Sequence, residues 1–401
     1  MEFQCISWNA KDRTASADSD EDEEDTKRQE KHYTISVFGR KENKESICVH
    51  IKFEPYFFVE IPKTWQHSQV AFFTAALKRE MGWRSKMLKS VEMVKRQKFY
   101  GFTNFETFSF VCIRFTTYDA YKNATYILKK PLKTTIGVKT FEMYEANFDP
   151  MLRFCHVQNI KLSGWARIEK KHYEICENPL TYSDIEIDVN NWKNVRSIDN
   201  ESIAPFVQAS FDIETYSHDG SFPDPNDKGC PCIQIGTTLQ RCGEPEAYKR
   251  VLISLGTCDP IDGVEVIECK SERRVLEEWA KLVNKEDVDI LIGYNIWGFD
   301  LHYMYTRANV VNATQFFELG RFQNTKSQCK ASSFSSGAYG DSDYQMVDTL
   351  GRFQLDLLVV MKREHKLTSY SLNAVSEHFL KDKKVDMPYK EMFRKYKEGT
   401  S

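Results

Sequence analysis

Two short stretches of this chain carry carboxylates at spacings that suit metal-assisted chemistry. In Phe211-Asp212-Ile213-Glu214-Thr215 two acids stand at i and i+2. On a strand that spacing puts both on one face and turns Ile213 to the other. No Lys or Arg lies close in sequence to neutralise them. A divalent cation relieves such repulsion, and Mg²⁺ favours oxygen ligands. The second stretch is Gly293-Tyr294-Asn295-Ile296-Trp297-Gly298-Phe299-Asp300. It reads as the end of an apolar strand, followed by an acid in the first turn of a helix. The helix dipole favours an acid there in any protein, so position alone gives Asp300 a structural reading beside the chemical one.

The elements that must hold these acids can be read from periodicity. Residues 206–213 form a mostly apolar strand, and the polar segment 190–200 before it is the expected joint between two domains, 1–200 and 201–401. Residues 220–231, rich in Pro, Gly and Asp, predict a loop. Strands are expected near 232–239, 246–253 and 264–269, then a helix over 272–284, a strand over 289–294 and a helix from about 297 to 308. That order predicts a mixed α/β domain around a sheet.

Upstream, strands at 3–8 and 33–38 flank the run Asp18-Ser19-Asp20-Glu21-Asp22-Glu23-Glu24-Asp25, so residues 14–31 are expected to be a disordered, solvated acidic loop. Between 56 and 144 the pattern is strand 56–61, helix 69–81, strands 91–96 and 108–115, helix 118–129 and strand 138–144. This βαββαβ order predicts a ferredoxin-like or RNA-recognition-like subdomain within an α+β N-terminal domain. Recognition modules of that kind stack bases on sheet aromatics, and Phe108, Phe110 and Phe115 share a strand. Alternating aromatics more often simply bury, and core is the expectation for all three.

Composition sets the outer limits. With 41% hydrophobic and 13% aromatic residues in 401, the chain has material for two cores. Eleven cysteines are scattered singly, which predicts reduced thiols in the nucleus or cytoplasm. No apolar run is long enough to span a bilayer, and the first residues lack the pattern of a secretory signal, so a membrane or secreted setting is not expected. A net charge of −3 argues against coating nucleic acid by bulk charge, although a local groove needs only local cations.

Taken together, the acidic motifs are specific. The pairing of F-D-I-E-T with Y-N-x-x-x-F-D, 88 residues apart from Asp212 to Asp300, resembles the first two exonuclease motifs of family B DNA polymerases. The likeness continues through Leu319-Gly320-Arg321, the Phe334 to Gly340 stretch, Gly351-Arg352-Phe353-Gln354-Leu355-Asp356-Leu357 and the Lys366 to Ser376 stretch, and reaches back to Arg153-Phe154 and Ser163 to Ile168. It is nearest to delta-type enzymes, including those of large DNA viruses. The resemblance implies a ribonuclease H-like 3′→5′ exonuclease domain and a proofreading role in DNA replication. It implies two divalent metal ions, Mg²⁺ or Mn²⁺, held by Asp212, Glu214 and Asp300. Thr215, Asn295 and Phe299 would bind the single-stranded 3′ end; the alternative for Phe299 is core packing. Implied partners are the DNA primer-template, the remainder of the polymerase on the same or a separate chain, and a sliding clamp.

The third exonuclease motif of the family, a Tyr followed four residues later by an Asp, is expected near the end. Here Tyr396 is followed by Thr400, with Asp382 and Asp386 as stand-ins in a charged loop. An incomplete carboxylate set and weak nuclease action by this chain alone are therefore expected, together with a C-terminal truncation of the exonuclease domain. Tyr339-Gly340-Asp341-Ser342-Asp343 resembles the metal-binding hairpin of a polymerase palm, but no companion palm motif accompanies it, so a Gly- and Ser-rich surface hairpin is expected. Cys230-Pro231-Cys232 departs from zinc-ligand spacing, and free thiols are expected there. A free-standing exonuclease and a non-catalytic DNA-binding half of a split polymerase remain as alternatives.

Overall fold

Among the described residues, thirteen strands and three α-helices form between Met1 and Ile198. They are β1 (Glu2–Thr14), β2 (Lys31–Arg40), β3 (Ser46–Lys52), β4 (Tyr56–Glu60), α1 (His67–Met81), β5 (Leu88–Gln97), β6 (Thr107–Phe115) and α2 (Tyr118–Leu128). There follow β7 (Leu132–Thr134), β8 (Gly137–Lys139), β9 (Met143–Tyr144), α3 (Pro150–Gln158), β10 (Trp165–Arg167), β11 (Tyr173–Ile175), β12 (Ile185–Val189) and β13 (Arg196–Ile198). This computed structural model describes residues 1–14, 31–99, 101–135, 137–336, 340–383 and 387–399, and the expected acidic loop falls almost wholly outside them.

A seven-stranded sheet, in the order β11-β12-β3-β2-β1-β10-β13, is built on the antiparallel β1–β2 pair. Its buried face centres on Ile35, Val37, Val49, Ile51 and Phe154. The strand β3 had no counterpart in the sequence reading. A four-stranded sheet, β5-β6-β4-β9, has α1 and α2 against one face. In α1 the apolar positions Val70, Phe73, Ala76 and Leu77 fall on one side and bury there.

Three expectations need correction in this half. The expected strand 138–144 is broken: Val138 belongs to the β7–β8 hairpin, and only Met143–Tyr144 joins β4. The expected joint 190–200 includes β13, which pairs with β10, so part of it is sheet. Of the three aromatics of β6 expected in the core, Phe110 and Phe115 bury, on opposite faces, and Phe108 does not. Phe115 lies beneath the helices, whereas Phe110 buries on the opposite face against Phe58 and Tyr144. Phe108 is half-buried with Lys98 over its ring. Period-two geometry separates residue 115 from 108 and 110.

The second sheet unit contains β14 (Val207–Thr215), β15 (Cys232–Arg241), β16 (Lys249–Leu255), β17 (Glu265–Cys269), α4 (Glu272–Lys285), β18 (Ile290–Gly293) and α5 (Asp300–Val310). It continues with β19 (Cys329–Ser336), β20 (Gly340–Val347), β21 (Phe353–Asp356), α6 (Leu357–Glu364), α7 (Leu372–Leu380) and α8 (Tyr389–Glu398). The sheet order is β17-β16-β15-β14-β18-β21. β14 pairs antiparallel with β15 and parallel with β18, which in turn runs parallel to β21. Helix α4 buries Val275, Leu276, Trp279 and Val283 against this sheet, and Trp279 lies 5.0 Å from Phe211 of β14, ring centre to ring centre. Strands β19 and β20 form the expected hairpin. Gly340 to Asp343 lie on its second strand rather than in the turn, and Tyr339 is outside the described residues.

The two halves are locked by buried charges. Arg40 on β2 reaches Asp289 at 2.5 Å and Asp287 at 2.8 Å, just before β18. Arg321 adds contacts of 2.6 Å to Asp287 and 2.8 Å to Asp289, the latter an ion-pair contact without hydrogen-bond geometry. All eleven cysteines are free thiols. No helix among the described residues is long and apolar enough to cross a membrane.

Candidate active site

Strand β14 alternates cleanly where it carries the acids. Phe211 and Ile213 bury in the core, while Asp212 is exposed and Glu214 half-buried on the other face. The residue opposite Asp212 on β15 is Gly236, and a side chain added there would meet nothing within 4 Å. The sheet surface beside Asp212 is therefore open.

Asp300 is brought to this strand by a tight connection out of β18. At Gly293 a Cβ would lie 2.9 Å from the Phe211 carbonyl oxygen and 2.3 Å from Ile296 Cγ2, so only glycine lets the strand end pack here. Asn295 then takes a left-handed conformation (φ 66°), which Asn tolerates better than most residues. Its carbonyl accepts from the backbone N–H groups of Gly298 and Phe299, which delays the start of α5 to Asp300. The sequence had placed that start three residues earlier.

The turn is held from the third strand. Asp356, at the end of β21 and only 1% exposed, accepts from the backbone N–H of Asn295 at 2.9 Å and of Trp297 at 3.1 Å. It also caps α6 through Leu358 N–H. Gln354 Oε1 accepts from the Trp297 indole at 2.9 Å. Sequence reasoning assigned Asp356 no role. Its signal was an acid at the junction of a strand and an apolar helix, a common capping pattern.

Asp300 is 4% exposed, and its carboxyl is pushed up to about 7. Burial is the main cause, the Asp212 carboxylate the next, and Asp356 adds to it. Backbone N–H groups of Asp300 and Ile213 donate to the carboxyl and oppose the rise. The Cys232 thiol, fully buried, is raised well above its ordinary value by burial, by Glu272 and by Asp300, with Glu214 contributing. Asp212 and Glu214 thus share one environment with Asp300. Among the described residues no Lys or Arg pairs with Asp300. The three carboxylates are not gathered within 4.8 Å of one another. A single-ion cage would require that; a two-ion site, with ions about 3.5–4 Å apart, spreads its ligands more widely. A buried carboxyl that repels its neighbour and has no basic partner fits the oxygen-rich demand of Mg²⁺ or Mn²⁺.

The other expected residues are placed less uniformly. Thr215 follows a bulge in the β14–β15 pairing and is 8% exposed, on the core side of the strand. The Asn295 side chain lies over Gly298. Phe299 is half-buried, 5.2 Å from Tyr303 and 5.6 Å from Phe222, whose ring is 78% exposed. Phe222 was missed, because its loop was read only as polar punctuation. Asp382 is exposed and its carboxylate accepts from the Lys383 N–H. Asp386 and Thr400 lie outside the described residues. Helix α8 brings Phe393 and Tyr396 against Tyr216, at 5.3 and 5.0 Å, so it delivers aromatic rings to the end of β14.

Comparison with known proteins gives the chain a family. Residues 141–375 match the family profile described as DNA polymerase family B, exonuclease domain. A DNA polymerase of Paramecium bursaria Chlorella virus NY2A is 31% identical over 379 residues, covering 92% of this chain and 40% of that protein. The DNA polymerase delta catalytic subunit of Glycine max is 34% identical over 366 residues, covering 88% of this chain and 33% of its own length. The solved family B DNA polymerase of the archaeon Pyrobaculum calidifontis shares the fold, with a TM-score of 0.66 at 18% identity, over 99% of this chain and 42% of that one. This chain thus spans 40% or less of the two curated relatives. A profile match across more than half its residues, over the sheet that carries both acidic motifs, makes the chain a member of the family B DNA polymerases.

Proposed function

We propose that this chain is the N-terminal and 3′→5′ exonuclease part of a replicative DNA-directed DNA polymerase, and that Asp212, Glu214 and Asp300 hold its proofreading ions. The observation that carries this reading is the state of Asp300: buried, raised to about 7 by burial and by Asp212, and without a basic partner among the described residues. When bound, a pair of divalent ions supplies charge stabilisation to the attacking and leaving oxygens of an in-line phosphodiester displacement. The chain's own part is positional. The sheet fixes Asp212 and Glu214 on one face, and the Asp356-clamped turn fixes Asp300 beside them.

Phe299 and Phe222 offer a partly exposed aromatic edge on which the last bases of a single-stranded 3′ end would stack, with Asn295 and Thr215 as neighbouring polar groups. The sheet order of residues 207–356 supports a ribonuclease H-like domain. The order β5-β6-β4-β9, with both helices on one face, supports a ferredoxin-like subdomain in the N-terminal domain. We place the division into domains near residue 200, where the chain leaves β13 for β14.

The test is made in the full polymerase that carries this chain. Asp212→Ala and Asp300→Ala should each reduce excision of a mispaired 3′ nucleotide to background while primer extension continues. Mismatch excision at the wild-type rate in either variant would remove the site assignment.

A further inference from the structure

The loop between β14 and β15 gathers three chemically different metal-binding side chains, separate from the acidic face of the sheet. The ligand atoms of His218, Asp227 and Cys230 all lie within 4.8 Å of one another. His218 Nδ1 and Asp227 Oδ2 are 3.5 Å apart. That is long for a charge-assisted hydrogen bond, about 2.7–2.9 Å. It matches the edge of a tetrahedron around zinc, about 3.4 Å for metal bonds near 2.1 Å.

The loop is built rather than loose. Arg307, 1% exposed and held by Glu272 at 2.6 and 2.7 Å, donates to the carbonyls of Pro225 at 3.1 Å and Asp227 at 2.5 Å. Asp227 Oδ1 accepts from the Gly229 N–H at 2.8 Å, which leaves Oδ2 turned toward His218. The Cys230 carbonyl accepts from the Tyr303 hydroxyl at 2.7 Å. A Cβ on Gly229 would lie 2.3 Å from His218 Nδ1, so the imidazole rests on the glycine backbone in a space that a side chain would fill.

We propose that His218 Nδ1, Asp227 Oδ2 and Cys230 Sγ form a Zn²⁺ site with water in the fourth position. A mixed nitrogen, oxygen and sulfur donor set of this kind suits zinc. Binding releases the Cys230 proton, because the thiolate is the ligand. The ion would staple both ends of the loop that carries Phe222 and so hold that ring against Phe299. The ion is distinct from the pair expected at the carboxylates, and the proposal does not depend on the exonuclease reading.

Cobalt(II) separates this site from the acidic face, since a thiolate ligand gives a near-ultraviolet charge-transfer band that carboxylates do not, and the cysteine variants assign the band among the free thiols. The chelator-treated 401-residue chain should develop the band with one equivalent of Co²⁺, and one equivalent of Zn²⁺ should bleach it. Cys230→Ser should abolish the band, and so should His218→Ala, an exposed substitution that leaves the fold intact. Gly229→Ala, which removes no ligand, should weaken binding about 10–100-fold. Cys232→Ser and Asp300→Asn should both retain the band. Absence of the band from the wild-type chain, its survival in Cys230→Ser or His218→Ala, or its loss in Cys232→Ser would overturn the proposal. None of these outcomes bears on mismatch excision by the acidic site.

Discussion

Asp300→Asn should make the metal-free protein more stable at pH 8 and change it little at pH 5. In the folded chain this carboxyl titrates near 7, against 3.8 for an ordinary aspartate. Between those values the folded state keeps a proton that the unfolded chain has released. Stability therefore falls as pH rises from about 4 to about 7, and the loss is complete above that. Roughly three pH units at 1.36 kcal/mol each set a ceiling of about 4 kcal/mol on the cost of ionised Asp300. The Asn variant is spared that cost but accepts backbone N–H groups more weakly, a loss of about 1–2 kcal/mol. A net gain of about 2 kcal/mol should raise the melting temperature of this domain by about 4–8 °C. The assay is a thermal melt of both proteins at pH 5 and pH 8, in chelator and again in Mg²⁺. With Mg²⁺ the order should reverse at pH 8, since the variant presents one anionic ligand fewer to the ion. A variant no more stable than wild type at pH 8 in chelator, or a gain equally large at pH 5, would refute the claim that Asp300 is a strained acid awaiting a cation.

Three further outcomes follow from buried contacts. Arg307→Met strands Glu272 without its partner and should cost about 3–5 kcal/mol in urea unfolding, with part of that recovered by adding Glu272→Gln. Arg40→Met breaks the contacts of β2 with Asp287 and Asp289 and should also cost several kcal/mol, with hydrogen exchange rising at β18 before it rises in the β1–β2 pair. Asp356→Ala releases the Asn295 and Trp297 N–H groups, and in the full enzyme it should lower the rate of mismatch excision about 10–100-fold with little change in DNA affinity. A fall in affinity as large as the fall in rate would show that the clamp serves binding instead.

The sequence made most elements legible because their signals are local. The apolar spacing of α1, the alternation of β14 and the amphipathic face of α4 each follow from a period that a reader can count. The two acids of β14 were placed correctly on one face for the same reason. What failed to show was set by distant partners. Residues 196–198 look like a linker until β10 offers them an edge, and Val138 looks like part of a strand until a hairpin with β7 captures it. Phe108, Phe110 and Phe115 are alike in type, yet the helices on one side of β6 bury Phe115, while Phe110 buries on the other side against Phe58 and Tyr144. Asp356 is silent in sequence because its role depends on a turn 59–61 residues upstream. Helix α8, where the sequence showed a Tyr but no acid four residues on, brings Phe393 and Tyr396 to Tyr216, a contact that no local period announces.

Strand β18 explains why so much buried charge surrounds a four-residue element. Its approach is pinned by Asp287 and Asp289, gripped by Arg40 from the first sheet and by Arg321. Arg352, fully buried, is pushed down to about 9 by burial and by Arg321, and it too is spent on this end through the carbonyls of Leu319 and Val288. The exit of the strand is pinned by Asp356. Such groups add little net stability on average, since desolvation offsets most of their attraction. Their value here is geometric. Asp300 lies seven residues beyond the end of β18, after a left-handed turn that hydrophobic packing alone would leave free to shift. A carboxylate misplaced by about 1 Å loses most of its use to a reacting phosphate. Fixing the strand at both ends by directional contacts sets the position of that one acid relative to Asp212, and the connection to β2 extends the same restraint into the seven-stranded sheet.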